Sequence, residues 1–164
     1  MQPFTDDWCL PAQGSIMYYF QSDKTTKSDA IDLFSGKIIT HENTTHFGDG
    51  DIEEMYYVMS PESYHQAIYF KFSYGSMKVD KYSLEFPSDP LSSYVLEAAN
   101  PATKVWDCLN HHTKKLQNKK RYTFSVPKSD VQYSLFRLRM VEPNVNGHWY
   151  IILHYFNLHG DYST

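Results

Sequence analysis

The chain has 164 residues, a formal net charge of −4 and 16% aromatic residues, among them 14 Tyr and 10 Phe. That charge gives no electrostatic case for nucleic acid, and no apolar run approaches the ~20 residues that span a bilayer, so no membrane insertion is expected. The length is that of one domain and is enough to bury roughly two-thirds of the unfolded surface, so folding requires neither metal nor disulfide.

Tyr and Phe in this abundance favour strands, because aromatic side chains pack well on a pleated surface. Only Cys9 and Cys108 are present, and nothing in their spacing demands a bridge. The N-terminus, Met-Gln-Pro-Phe-Thr-Asp-Asp-Trp, has no basic region followed by an apolar one, so it does not read as a signal peptide. The expected setting is cytoplasmic, with two reduced thiols. Asn43-Thr44-Thr45 fits a glycosylation sequon, which has meaning only in a secreted chain.

Residues 1–13, with Pro3 and Pro11, read as an N-terminal arm, and residues 14–164 as a single domain. Gly14 to Phe20 predicts a first strand, residues 21–29 a loop, and Ile38 with Ile39 a second strand. A turn-rich stretch, His46-Phe47-Gly48-Asp49-Gly50-Asp51, follows. From Gln66 the period-2 alternation of a half-buried strand becomes regular. Ile68, Phe70 and Phe72 alternate with Tyr69 and Lys71 until Gly75. Tyr82, Leu84 and Phe86 alternate with Ser83 and Glu85, ending at Pro87 and Pro90. Tyr94 to Ala98 is a clear strand, Asn100-Pro101 a turn, and Trp106 to Leu109 a short apolar segment. Tyr122, Phe124 and Val126 alternate again and stop at Pro127. Phe136, Leu138 and Met140 alternate with Arg137 and Arg139, and Pro143, Asn144, Asn146 and Gly147 form a turn cluster. Trp149, Ile151 and Leu153 then share one face of a last strand before a short polar tail. The last two strands are expected to form a closing antiparallel pair. The pattern predicts an all-β antiparallel sandwich of about eight strands.

Several residues carry possible chemistry. Asp49-Gly50-Asp51 is the candidate calcium turn, since a tight Gly turn lets carboxylates and carbonyls converge on a cation that wants six to eight oxygens. Against it stands a simple positive-φ role for Gly48 and Gly50. Of the eight histidines, none has zinc-finger spacing. Glu53-Glu54 has no evident catalytic partner and reads as a solvated loop. Lys114, Lys115, Lys119, Lys120 and Arg121 place five cations in eight residues. They are expected on an exposed hairpin loop that is either simply solvated or docks an acidic partner. Arg137 and Arg139 are expected to pair with Glu97 or Glu142. Trp149, Trp106, Phe136 and Leu138 are assigned to the core. Trp8, Tyr56, Tyr57 and Tyr64 sit in less regular segments, where exposed rings stack on sugars or anchor partners, and Tyr56 and Tyr64 are the candidates. No nucleophile elbow, phosphate loop or metalloprotease helix is present, so no enzymatic activity is expected.

The order of these elements resembles the discoidin family, the coagulation factor C-terminal type domains, within the galactose-binding-like jelly rolls. Four blocks carry the resemblance over residues 14–160: Phe47-Gly48-Asp49-Gly50-Asp51 with Tyr56 and Tyr57 after it; Gln66 to Phe72; Tyr94-Val95-Leu96-Glu97-Ala98-Ala99-Asn100 with Trp106; and the tail, with Phe136-Arg137-Leu138-Arg139, Asn146-Gly147 and Phe156-Asn157-Leu158-His159-Gly160. In metal-binding relatives the turn Asp works with a Glu on the last strand. The matching position here is Asn157, which supplies a neutral oxygen and one charge fewer. The chain is closest in style to the family's intracellular branch, because the secreted branch pins its termini with a disulfide and the C-terminal end here has no cysteine. The resemblance implies a non-catalytic binding module, acting as a protein-interaction or scaffold subunit of a larger assembly such as a ciliary or cytoskeletal one. The alternative it implies is a lectin-like domain that binds a glycan near Asp49 and Tyr56 with help from calcium.

Overall fold

The computed structural model of the chain describes residues 7–9, 16–20, 30–32, 38–39, 58–60, 62, 65–72, 75–153 and 155–163. Among them are strands β1 (Ile16–Phe20), β2 (Ala30–Asp32), β3 (Ile38–Ile39), β4 (Val58–Met59), β5 (Ala67–Phe72) and β6 (Ser76–Glu85). They continue with β7 (Tyr94–Asn100), β8 (Val105–His112), β9 (Arg121–Ser125), β10 (Leu135–Met140), β11 (Ile152–Leu153) and β12 (Tyr155–Ser163). Among the described residues no helix is long and apolar enough to cross a membrane.

The strands form two facing sheets. The larger has the order β3-β2-β1-β5-β10-β7-β8, the smaller β12-β6-β9, and β11 pairs separately with β4. Setting aside the short β2 and β3, the five long strands of one sheet and the three of the other make the eight-stranded jelly roll that the alternation predicts. Pairing is antiparallel except between β1 and β5, which run parallel from Ile16↔Ile68 to Phe20↔Phe72.

The alternating residues build the core. Ile68, Phe70, Phe136, Leu138, Tyr94 and Leu96 on the large sheet are fully buried, as are Tyr82, Leu84 and Phe156 on the small one. Phe70 and Phe156 stack across the two layers with ring centroids 4.1 Å apart. Each such side chain contributes about 1.5–3 kcal/mol on leaving water.

The large sheet is covered on its second face as well, which is why all six residues of β5 are buried. Cys9, Ala67, Tyr69, Ala99 and Leu135 form a second apolar cluster there, with Trp8 and Trp106 packed on it. A 3-10 turn, Asp7–Cys9, supplies the cover. Trp8 meets Trp106 edge-to-face at 6.2 Å. Trp8 is thus a half-buried packing residue, not an exposed loop aromatic. Trp106 also departs from its assignment to the central core. It lies half-buried on the outer face, with the Arg137 guanidinium 4.0 Å over its ring. The two cysteines are not joined in a disulfide; Cys9 is buried and Cys108 exposed.

Arg137 and Arg139 pair with Glu97, each Nε donating to Oε1 at 2.8 Å, so the expected ion pairing falls on Glu97 and not on Glu142. Burial opposes charge on Glu97, but the hydrogen bonds from Arg139 and Arg137 outweigh it and hold the carboxyl below its ordinary value.

Three expectations are corrected. β10 and the last strand are not a pair: β10 lies between β5 and β7, while β12 pairs with β6 in the opposite sheet. Residues 149–151 precede the strand, and the polar tail is itself strand, through Ser163. Its polarity belongs to the outward face: Asn157 and His159 alternate with buried Phe156 and Leu158. The register shifts between His159 and Gly160, and a Cβ at Gly160 would lie 1.9 Å from the Lys78 carbonyl oxygen. The lysine-rich segment is not a hairpin loop, because β8 pairs with β7 and β9 with β6, so residues 113–120 cross from one sheet to the other.

Candidate functional site

The antiparallel order brings several connections to one end of the sandwich: the segment before β5, residues 86–93 between β6 and β7, 113–120 between β8 and β9, and 141–151 between β10 and β11. Backbone bonds knit them together. Val141 N donates to Ser93 O at 3.0 Å, Val145 N to Pro90 O at 3.1 Å, Lys119 N to Phe86 O at 2.6 Å and Ser60 N to Ile151 O at 2.8 Å.

Asn144 organises the longest of these loops. It is buried, and its Oδ1 accepts from the backbone N–H groups of Asn146 at 3.0 Å and His148 at 3.1 Å. This is the Asx pattern that lets a short amide side chain hold a turn. Gly147 provides the positive φ of 84° that the reversal needs. The loop then presents Asn146, His148 and Tyr150 together. The Tyr150 hydroxyl donates to Asp89 Oδ2 at 2.7 Å. Asn146 Nδ2 donates to the other oxygen of the same carboxylate. The His148 and Tyr150 rings stack with centroids 5.3 Å apart and planes at 24°. Glu62 Oε2 accepts from His148 Nδ1 and from Trp149 N, both at 3.2 Å. Trp149 meets His65 edge-to-face at 5.0 Å, and His65 Nδ1 donates to Met140 O at 3.2 Å.

Three non-glycine residues at this end hold positive φ, His65 at 54°, Asp89 at 47° and Lys119 at 58°. Such conformations persist where the surroundings over-determine them, commonly around ligand sites. The hydrogen bond to Asp89, foremost, pushes the Tyr150 hydroxyl above its ordinary range. Asp89 therefore keeps Tyr150 a neutral donor whose direction is set. Half-exposed aromatic faces beside convergent carboxylate and amide groups suit a polyhydroxylated ring, whose C–H face stacks while its hydroxyls bond at the edge.

Lys114, Lys115, Lys119 and Lys120 are exposed at this same end. Asn157 is elsewhere. It lies on the outer face of β12 opposite Ser83, and its Oδ1 accepts from Leu158 N at 3.0 Å. Tyr56, Tyr64, Asp49 and Asp51 lie outside the described residues, as does the rest of the calcium turn. Among the described residues no three His, Cys, Asp or Glu side chains are grouped to hold a metal ion. The sequence pattern reads Asn144, Asn146 and Gly147 as a turn, Trp149 as core and His148 as a satisfied or solvated histidine, and it assigns no role to Glu62, Asp89 or Tyr150. Trp149 is only partly buried, packed against the core's edge. The available signal was the alternation Asn144, Asn146, His148, Tyr150 around a glycine.

Further polar groupings stand elsewhere among the described residues. Ser83 Oγ lies 2.9 Å from His159 Nε2 and 2.8 Å from Thr123 Oγ1 on the outer face of the small sheet. Ser83 is buried, and among the described residues no carboxylate bonds His159 to orient it as a general base. Toward the opposite end, Lys78, Val79, Asp80, Lys128, Ser129, Asp130 and Asp161 line a polar cleft of about 240 Å³.

No protein-family profile matches the chain, and a search of curated proteins finds no match. Solved structures do match. CpGH89 from Clostridium perfringens, in complex with its substrate GlcNAc-α-1,4-galactose, is 16% identical with a TM-score of 0.57, over 76% of this chain and only 13% of that one. Chitosan-binding module 1 of a chitosanase/glucanase from Paenibacillus sp. IK-5 is 18% identical with a TM-score of 0.54, over 70% of this chain and 80% of the module. CpGH89CBM32-5 from Clostridium perfringens, in complex with GalNAc-β-1,3-galactose, is 14% identical with a TM-score of 0.54, over 73% and 86%. The fold of this chain is therefore the galactose-binding-like jelly roll that the sequence resemblance implies.

Proposed function

We propose that this chain is a non-catalytic carbohydrate-binding module whose site is the loop end built on Tyr150, Asp89, Asn146, His148 and Glu62. The observation that carries the reading is the Asp89 carboxylate holding both Tyr150 and Asn146, beside the stacked His148 ring. This gives an aromatic platform with oriented polar groups at a solvent-facing rim, the pattern that orients a small ligand. A sugar ligand is favoured over the scaffold role expected from the sequence, because chains that share this fold include modules crystallised with sugars. The test is a glycan array, with and without chelator, followed by titration calorimetry on wild type, Tyr150→Ala and Asp89→Ala. Binding of a defined glycan that either substitution weakens tenfold or more supports the reading. No binding in either condition, or binding indifferent to both substitutions, removes it. Loss of binding with chelator alone adds calcium to the site.

A further inference from the structure

The lysine-bearing crossover is built in a way that a merely solvated loop does not require. Leu116, its one apolar side chain, is buried in the core and pins the middle of the segment. Lys119 N is tied to Phe86 O at 2.6 Å, Gln117 N to the Tyr122 hydroxyl at 2.8 Å, and His112 Nε2 donates to Lys114 O at 2.7 Å. Two exposed pairs, Lys114–Lys115 and Lys119–Lys120, therefore flank a fixed point, with the exposed amides of Gln117 and Asn118 between them. Among the described residues, none of these four ammonium groups has a carboxylate within salt-bridge distance. Arg121 is different: it pairs with Glu85 at 3.5 Å and covers the Tyr155 ring. The bond from Lys119 to Phe86 joins this loop to the segment that carries Asp89.

We propose that residues 114–120 are a docking surface for a polyanionic polysaccharide, a chain of uronate or sulfated sugars that continues from the Tyr150–Asp89 rim. The inference rests on the carbohydrate reading of that rim and names the class of glycan. Spaced cations with amide donors between them match a chain that repeats charges and hydroxyls. The acidic groups of the rim, Glu62 and Asp89, are engaged by His148, Tyr150 and Asn146, so the anionic sugars belong over the lysines. An anionic membrane is less well suited, because the loop's only apolar side chain is buried and leaves no wedge to insert. An acidic protein is also less well suited, because within residues 114–120 the apolar side chain, Leu116, is buried, and the loop itself presents no apolar or aromatic anchor of the kind that protein interfaces use.

The test measures binding of the full chain to heparin, polygalacturonate, neutral galactan, polyglutamate and phosphatidylserine vesicles, at 50 and 200 mM salt. The variants are K114Q/K115Q/K119Q/K120Q and Tyr150→Ala. Expected is binding to heparin or polygalacturonate that weakens on the order of tenfold across that salt range. The quadruple variant should lose at least tenfold for the polyanion, with an unchanged melting temperature and unchanged galactan binding. No binding to either polyanionic glycan, or full retention by the quadruple variant, overturns the proposal. Equal binding of polyglutamate overturns it in favour of unselective charge, and tighter binding of vesicles overturns it in favour of a lipid surface. Loss of galactan binding in Tyr150→Ala alone marks the rim independently. Polyanion binding that depends on the lysines but ignores Tyr150, with no galactan binding, sinks the rim reading and leaves the lysine surface standing.

Discussion

The hydroxyls of Tyr82 and Tyr94 lie 2.9 Å apart, and they come from opposite sheets, β6 and β7. Both residues are fully buried. Tyr82 donates onward to Asn110 Oδ1 at 2.7 Å, so Tyr94 donates to Tyr82. The pair joins the two layers through a polar contact inside an apolar core, where an unmade bond costs more than a made one gains. Burial raises both phenols well above their ordinary range, which keeps them protonated donors.

Removing one hydroxyl tests that link. Tyr94→Phe should destabilise by about 0.5–1.5 kcal/mol, the net value of one neutral bond. Tyr82→Phe should cost more, about 1–3 kcal/mol, because it strands Tyr94 and releases Asn110. Urea unfolding of the two variants and the double variant gives the coupling, and equal costs for the two single variants would contradict the donor order.

Glu97 predicts an acid limb. Its folded carboxyl sits below the ordinary value of 4.5, so the stability it contributes is full above pH 4.5 and is lost as pH falls through the folded value. Glu97→Gln should cost about 1–3 kcal/mol at neutral pH. The difference from wild type should shrink steadily below pH 4.5, as read by urea midpoints. A pH-independent difference would show that the pair contributes shape and not charge.

His112 and His159 predict a separate limb nearer neutrality. Burial lowers both, helped for His159 by Lys81, so the fold prefers the neutral imidazoles. Their contribution is complete above the ordinary value of 6.5 and falls away as pH drops through the lowered folded values. The double variant His112→Gln/His159→Gln should therefore flatten the loss of stability that wild type shows from pH 7 to pH 5, measured by thermal melts at half-unit steps. An unchanged slope would remove both groups from the account.

On the carbohydrate reading proposed for the rim, Asp89→Ala should weaken glycan binding tenfold or more while moving the melting temperature by no more than about 4 °C, the shift that ~1 kcal/mol gives a chain of this size. Calorimetry and a thermal scan on the same sample separate the two effects. A large loss of stability would mean that Asp89 holds the loop up, not the ligand.

How far the sequence disclosed this depended on how water meets each strand. β5, β7 and β10 were legible because Phe70, Leu96 and Leu138 recur every second residue and face the core. β12 was hidden because Asn157 and His159 sit on an outward face, so half of its alternation reads as a polar tail. Which strands pair is a long-range property, and nothing local in Phe136 to Leu153 says that the chain changes sheets between them. The Glu97 pairing was legible because Arg137 and Arg139 share one strand face. The rim was not, because Asp89 and Tyr150 are 61 positions apart and meet only through the fold.

Gly160 has a consequence for any relative of this chain. Its neighbour across the ladder stands so close that one more carbon would collide with the Lys78 carbonyl. That oxygen belongs to the main chain and cannot rotate aside. A homologue bearing even alanine there would have to unzip residues 160–163 from β6 or carry the whole edge of the sheet outward, so one position without a side chain dictates how closely β12 can be laid against β6.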